Sequence, residues 1–103
     1  MITLDKKTLL EDATTAGAGA SFGAEGTKSY TFTIATTVSG TATVAIQAYI
    51  GGDWRTIHSE DVTTAGNVMI RDDHGHYEKI RANITAYTSG THSVFSVGTV
   101  DSV

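Results

Sequence analysis

Residues 41–60 read TATVAIQAYIGGDWRTIHSE, and this pattern indicates the class of fold. From residue 42 to residue 50, apolar side chains take every second position. A period of two is typical of a β-strand with one buried face. Gly51, Gly52 and Asp53 then supply the residue types that a tight turn between antiparallel strands requires. The stretch therefore predicts a β-hairpin.

The same period recurs on both sides of this hairpin. Alternation over residues 30–34 and 78–86 predicts two more strands, and clusters of Gly, Ser, Thr and Asp mark turns between the segments. In the last strand, Val94 and Phe95 point to opposite faces, which predicts that both faces are at least partly covered. We therefore predict an all-β protein, either an antiparallel β-sandwich or a small jelly-roll-like barrel.

The N-terminal quarter has a different character. It combines apolar side chains that do not alternate with the small-residue stretch ATTAGAGASFGAEG. We therefore expect residues 1–26 to form an arm and a Gly/Ala-rich loop, and residues 27–103 to form the sandwich domain. Large apolar side chains on an arm need a partner surface, so we expect part of it to pack against another subunit. The candidate interface residues are Leu4, Leu9, Leu10, Phe22, Tyr49 and Trp54.

Length and composition limit the possible functions. A chain of 103 residues forms one domain, and a net charge of -4 disfavours nucleic acid as a partner. No apolar stretch approaches the ~20 residues that span a membrane, and the N-terminus does not resemble a secretory signal. We expect a protein made in a cytoplasm, with neither nucleic acid nor membrane as a partner.

The stretch RDDHGHYEKIR, residues 71–81, is the candidate for metal or acid/base chemistry. His74 and His76 would face the same side of a strand, as in the metal site of a cupin barrel. Gly75 and the preceding Asp pair favour a solvated turn instead. No Ser has the spacing of a nucleophile elbow. We therefore expect no metal, no cofactor and no enzyme activity, with a cupin-type enzyme as the remote alternative.

Two stretches together point to a family. They are AIQAYIGGDWRTIHS, residues 45–59, and YEKIRANITAYTSGTHSVFSV, residues 77–97. The combination resembles small β-sandwich virion proteins of tailed bacteriophages. The resemblance implies a structural protein on the capsid surface of the virion, most simply a decoration or cement protein. Its partners would be the major capsid protein and, through a dimer or trimer, other copies of itself.

The aromatic residues support an alternative from another class. Trp54 with Tyr49, Tyr77 and Tyr87 would form a stacking platform for sugar, as in a carbohydrate- or receptor-binding module of a phage tail or fibre. The position of Trp54 separates the two hypotheses. Burial in the hairpin corner favours the structural role, and exposure beside Tyr49 favours sugar binding.

Overall fold

A computed structural model describes residues 2–72 and 77–101, and these residues form strands and connecting loops without a helix. Within these ranges no helix is long and apolar enough to cross a membrane. The all-β prediction is confirmed. The strands are β1 (Ile2–Ala13), β2 (Gly17–Ala18), β3 (Phe22–Gly23), β4 (Thr27–Val38), β5 (Ala42–Ile50), β6 (Asp53–Val62), β7 (Gly66–Asp72), β8 (Lys79–Tyr87) and β9 (Thr91–Asp101).

The strands form two antiparallel sheets that pack face to face. One sheet has the order β1-β9-β4-β7, and the other has the order β2-β8-β5-β6, with β3 also paired to β8. This arrangement is a β-sandwich with jelly-roll topology. In the first sheet the last strand, β9, lies between β1 and β4. The predicted hairpin is present as β5 and β6, and Gly51 and Gly52 have φ angles of 65° and 83° at its turn.

The core lies between the inner faces of the two sheets. Alternate residues of β4, β5 and β8 supply most of it, as the period of two in the sequence predicts. On β5, the outward positions between these core residues include Gln47 and Tyr49. The largest apolar side chains that are fully buried are Leu9, Tyr30, Phe32, Ile34, Val44, Ile46, Ile80, Ile84 and Val94.

The N-terminal segment differs from the expected arm and loop. Residues 2–13 form β1, which pairs with β9 from Ile2 opposite Asp101 to Ala13 opposite His92. β2 and β3, in the Gly/Ala-rich stretch, pair with β8. Backbone hydrogen bonds to existing strands therefore hold this segment in the sandwich.

Two of the connections between the sheets meet at one end of the molecule. Residues 39–41 lead from β4 to β5, and residues 88–90 lead from β8 back to β9. The amides of Thr88 and Ser89 donate to the Thr41 carbonyl at 2.9 and 3.1 Å. The buried His92 receives a hydrogen bond from Thr36 on Nδ1 and donates from Nε2 to the Ser89 carbonyl at 2.9 Å. These bonds fix both crossings together.

Candidate functional site

A group of four side chains, here named the cation–aromatic cluster, lies on the outer face of the five-stranded sheet. Its members are Tyr49 of β5, Trp54 of β6, and Lys79 and Arg81 of β8. Tyr49 lies opposite Trp54 across the hairpin, and their ring centroids are 5.4 Å apart. The Arg81 guanidinium lies 4.3 Å from the centroid of the Trp54 ring, and the Lys79 ammonium lies 5.3 Å from that of Tyr49. Both distances are within the range of cation–π attraction.

The largely buried side-chain amide of Gln47 holds one member of this cluster, Arg81, in place. Gln47 lies directly opposite Arg81 in the sheet, and only 9% of its surface is exposed. Its Oε1 accepts from Arg81 Nε at 2.8 Å and from Asn83 Nδ2 at 3.4 Å. Its Nε2 donates to Thr56 Oγ1 at 3.3 Å. The network fixes the orientation of the guanidinium, because moving Arg81 would leave a mostly buried acceptor without a strong donor.

The position of Trp54 agrees with neither of the two hypotheses from the sequence completely. Trp54 and Tyr49 are adjacent and both are partly exposed, as a sugar platform requires. However, the planes of the two rings are inclined at 67°, and a cation of the chain itself lies over each ring. The aromatic surface is therefore uneven and positively charged.

A second group of side chains, here named the outer apolar face, lies on the opposite side of the molecule. It consists of Leu4, Met69, Phe95 and Val97 on the outer face of the four-stranded sheet. Met69 and Phe95 both lie opposite Thr33, so they belong to one row across the sheet. Leu4 is 57% exposed, Met69 70% and Phe95 38%. The outer side of β9 at Phe95 is therefore only partly covered.

The predicted interface residues lie in four different places. Leu9 is only 1% exposed and belongs to the core, so the expectation that it contacts another subunit is corrected. Leu10 and Phe22 are partly buried against the same core. Leu4 belongs to the outer apolar face, and Tyr49 and Trp54 belong to the cation–aromatic cluster.

A polar group around Asp72 joins the two sheets at their β6 and β7 edges. The buried carboxylate of Asp72 accepts from His58 Nε2 at 3.0 Å and from the Tyr77 hydroxyl at 2.7 Å. Burial, and then the hydrogen bond to Asp72, raise the pKa of the Tyr77 phenol above its ordinary value. Burial likewise raises the pKa of the neighbouring Tyr30. Asp72 belongs to the four-stranded sheet and His58 to the five-stranded sheet, so their hydrogen bond links the two layers.

The His74 and His76 prediction lies outside the described residues. Asp72, at the start of the predicted turn, is the last residue of β7. Among residues 2–72 and 77–101, no cluster of three or more His, Asp or Glu side chains could hold a metal ion.

Sequence reasoning did not identify Lys79 and Arg81 as site residues. In residues 78–86 both alternate with the apolar positions, which places them on the outer face, and the structure agrees with this pattern. Their place beside Tyr49 and Trp54 depends on the pairing of β8 with β5, which the sequence did not reveal. A usable signal was the presence of two cations at i and i+2 on one face of a strand.

By sequence, the chain matches no protein-family model and no curated protein. By structure, it is similar to the SPBc2 prophage-derived protein YomS, with a TM-score of 0.74 and 14% identity over 96% of this chain and 95% of that one. A protein of Bacillus endospore appendages, which form disulfide-linked pili, has a TM-score of 0.57 and 18% identity over 98% and 89% of the two chains. The present chain has no cysteine.

A carbohydrate-binding module has the same kind of fold. The CBM36-1 domain of a multidomain xylanase from the hindgut metagenome of Trinervitermes trinervoides has a TM-score of 0.52 and 12% identity over 98% of this chain and 100% of that domain. At such identities the likeness establishes a shared β-sandwich fold. Function must therefore be argued from the surfaces of this chain.

Proposed function

We propose that the chain is a structural protein of a phage virion, a capsid decoration protein that bridges major capsid subunits. The observation that carries the proposal is the outer apolar face. Three of its side chains, Leu4, Met69 and Phe95, are large, apolar and exposed on one sheet surface. Burying such side chains is worth about 1.5–3 kcal/mol each, and several large apolar side chains exposed on one face are typical of a protein interaction site.

The phage setting has two supports. One is the resemblance of residues 45–59 and 77–97 to virion proteins of tailed phages. The other is the fold shared with YomS, a prophage-derived protein, over 96% of this chain. The proposed role requires no catalytic step and no cofactor.

A decoration protein that bridges subunits needs contacts on more than one side. The outer apolar face and the cation–aromatic cluster lie on opposite sheets, so the two surfaces point in opposite directions. Binding through the first surface raises the effective concentration of the second near its own target. Two modest contacts would in this way give a firm attachment.

Two measurements test the proposal. Mass spectrometry of gradient-purified particles of the encoding phage should detect the chain in many copies per virion. Purified protein should also sediment with capsids, and Met69→Glu should weaken this binding at least about tenfold, because a charge would be buried in an apolar contact. Val38→Glu is the matched control, since Val38 is 58% exposed and lies outside the defined face. Absence from virions, together with no binding to capsids, would reject the proposal.

Self-association into a dimer or trimer belongs to the same proposal. Sedimentation velocity on the purified chain measures it directly. A monomer at all concentrations would limit its partners to the capsid protein.

Sugar binding is the second candidate function. It is favoured by the adjacent, partly exposed rings of Tyr49 and Trp54, and the fold shared with the CBM36-1 domain is compatible with it. Calorimetric titration with a panel of soluble polysaccharides tests it. Binding that Trp54→Ala abolishes would support a receptor-binding module of a phage tail or fibre.

A further inference from the structure

The guanidinium of Arg81 is fixed on one edge and one face. Its Nε donates to Gln47 at 2.8 Å, and its central carbon lies 4.3 Å from the centroid of the Trp54 ring. Within residues 2–72 and 77–101, no hydrogen bond is made by its two terminal nitrogens, Nη1 and Nη2. No carboxylate of these residues forms an ion pair with Arg81 or Lys79. Within the described residues, the strongest donors of this surface therefore retain unused hydrogen-bonding capacity.

This geometry suits one kind of ligand. The terminal nitrogens of a guanidinium form two parallel hydrogen bonds with the two oxygens of a carboxylate. Because Gln47 and Trp54 already hold Arg81 in place, little side-chain entropy remains to be lost on binding. Lys79 lies two residues away on the same strand face, about 7 Å along the strand, and adds a second positive charge.

We propose that the cation–aromatic cluster is a docking site for an acidic segment of a partner protein, with an Asp or Glu carboxylate bound end-on by Arg81 and steered by Lys79. Trp54, Tyr49 and Arg81 are the residue types that dominate binding energy at protein interfaces. An acidic sugar fits less well, because the Trp54 face toward Arg81 is occupied and the two rings are not coplanar. The inference rests on the proposed function only in identifying the partner as the capsid protein.

The chain's one tryptophan makes the site directly observable, since Trp54 fluorescence reports on its own surroundings. The probe is an end-capped hexaglutamate peptide, titrated into the millimolar range at low salt. We expect a saturable fluorescence change that weakens as salt is added. Arg81→Lys should reduce the affinity about tenfold, because it keeps the charge and loses the paired donors. Lys6→Gln is the control: it removes one positive charge from the opposite sheet and should leave the affinity for the peptide within about twofold.

Other outcomes would overturn the inference or separate it from the proposed capsid role. The inference is overturned by an absence of binding, by equal binding of a hexaglutamine peptide, or by equal loss in Arg81→Lys and Lys6→Gln. Binding of polygalacturonate without binding of hexaglutamate would assign the site to acidic carbohydrate instead. Peptide binding by a chain that is absent from virions would preserve this site and reject the capsid role. Presence in virions without peptide binding would do the reverse.

Discussion

Gly40 shows how strongly one missing Cβ controls the contact between two connections of the sheets, residues 39–41 and residues 88–90. A Cβ at this position would overlap the backbone of Ser89 and Gly90. We expect Gly40→Ala to lower the free energy of unfolding by about 1–3 kcal/mol or more, because backbone atoms cannot move aside cheaply. Urea denaturation measures this change. The matched control is Gly23→Ala, where the added Cβ meets nothing within 4 Å, and equal losses in both variants would contradict the argument.

Tyr77 makes the stability of the folded chain depend on pH in the alkaline range. In the folded chain its raised pKa keeps the phenol protonated above about pH 10, where an unfolded Tyr ionises. The contribution of Tyr77 to the free energy of unfolding is therefore complete below about pH 10, and it is lost as the pH rises through the folded pKa. We expect the melting temperature to fall above about pH 10, and less steeply in Tyr77→Phe. The variant should start about 1–3 kcal/mol less stable, having lost its bond to Asp72. Parallel pH profiles for the two proteins would refute this assignment.

Individual side chains of the candidate site were predictable only in part. The alternation in residues 78–86 placed Arg81 on the outer face correctly. Its contacts with Gln47 and Trp54 join residues far apart in sequence, so they follow from strand order rather than from any local pattern. Trp54 itself was a candidate because of its residue type.

β1 carries a test of whether the N-terminal segment belongs to the sandwich. Leu9 is 1% exposed and Leu4 is 57% exposed, although both lie on the same strand. We expect Leu9→Ala to cost about 2–5 kcal/mol of unfolding free energy through lost burial and the cavity left behind. Leu4→Ala should stay within about 0.5 kcal/mol. Thermal and urea melts of the two variants provide the comparison, and equal small effects would return this segment to the role of an arm.

The pattern of β1 explains why its sequence did not reveal a strand. Asp5 and Lys7 occupy positions between the outward-facing residues and form an ion pair with each other, where apolar residues would have signalled a core-facing strand. The register then shifts between Thr8 and Leu10, so that Leu9 and Leu10 both contact the core. A bulge of this kind breaks the period of two. Pairing with β9, rather than local pattern, makes the segment a strand.

The complete molecule should unfold as one unit, because both sheets contribute to a single core. The Asp72 carboxylate adds a polar link between the layers through His58 and Tyr77. We expect Trp54 fluorescence, which reports on the five-stranded sheet, and far-UV circular dichroism, which reports on both sheets, to give the same transition midpoint. A fluorescence transition that precedes the circular dichroism transition would show that the five-stranded sheet unfolds before the four-stranded sheet.

At this level the sequence predicted the class of fold and the central hairpin. Both follow from local alternation and from turn residues such as Gly51 and Gly52. The sequence did not predict the order of the strands within the sheets. Pairs such as β1 with β9 join the two ends of the described chain, and no local property of either segment selects the other.

The place of β9 between β1 and β4 has a consequence for biosynthesis. The strand nearest the C-terminus of the described chain is inserted into the middle of its sheet, so β1 has no neighbour in that sheet until β9 has left the ribosome. A nascent chain that ends before Thr91 can form the hairpin of β5 and β6, yet it cannot close the core. Closure of the core therefore waits for β9, and Phe32 and Ile34 remain accessible to chaperones or prone to premature aggregation until that strand has emerged.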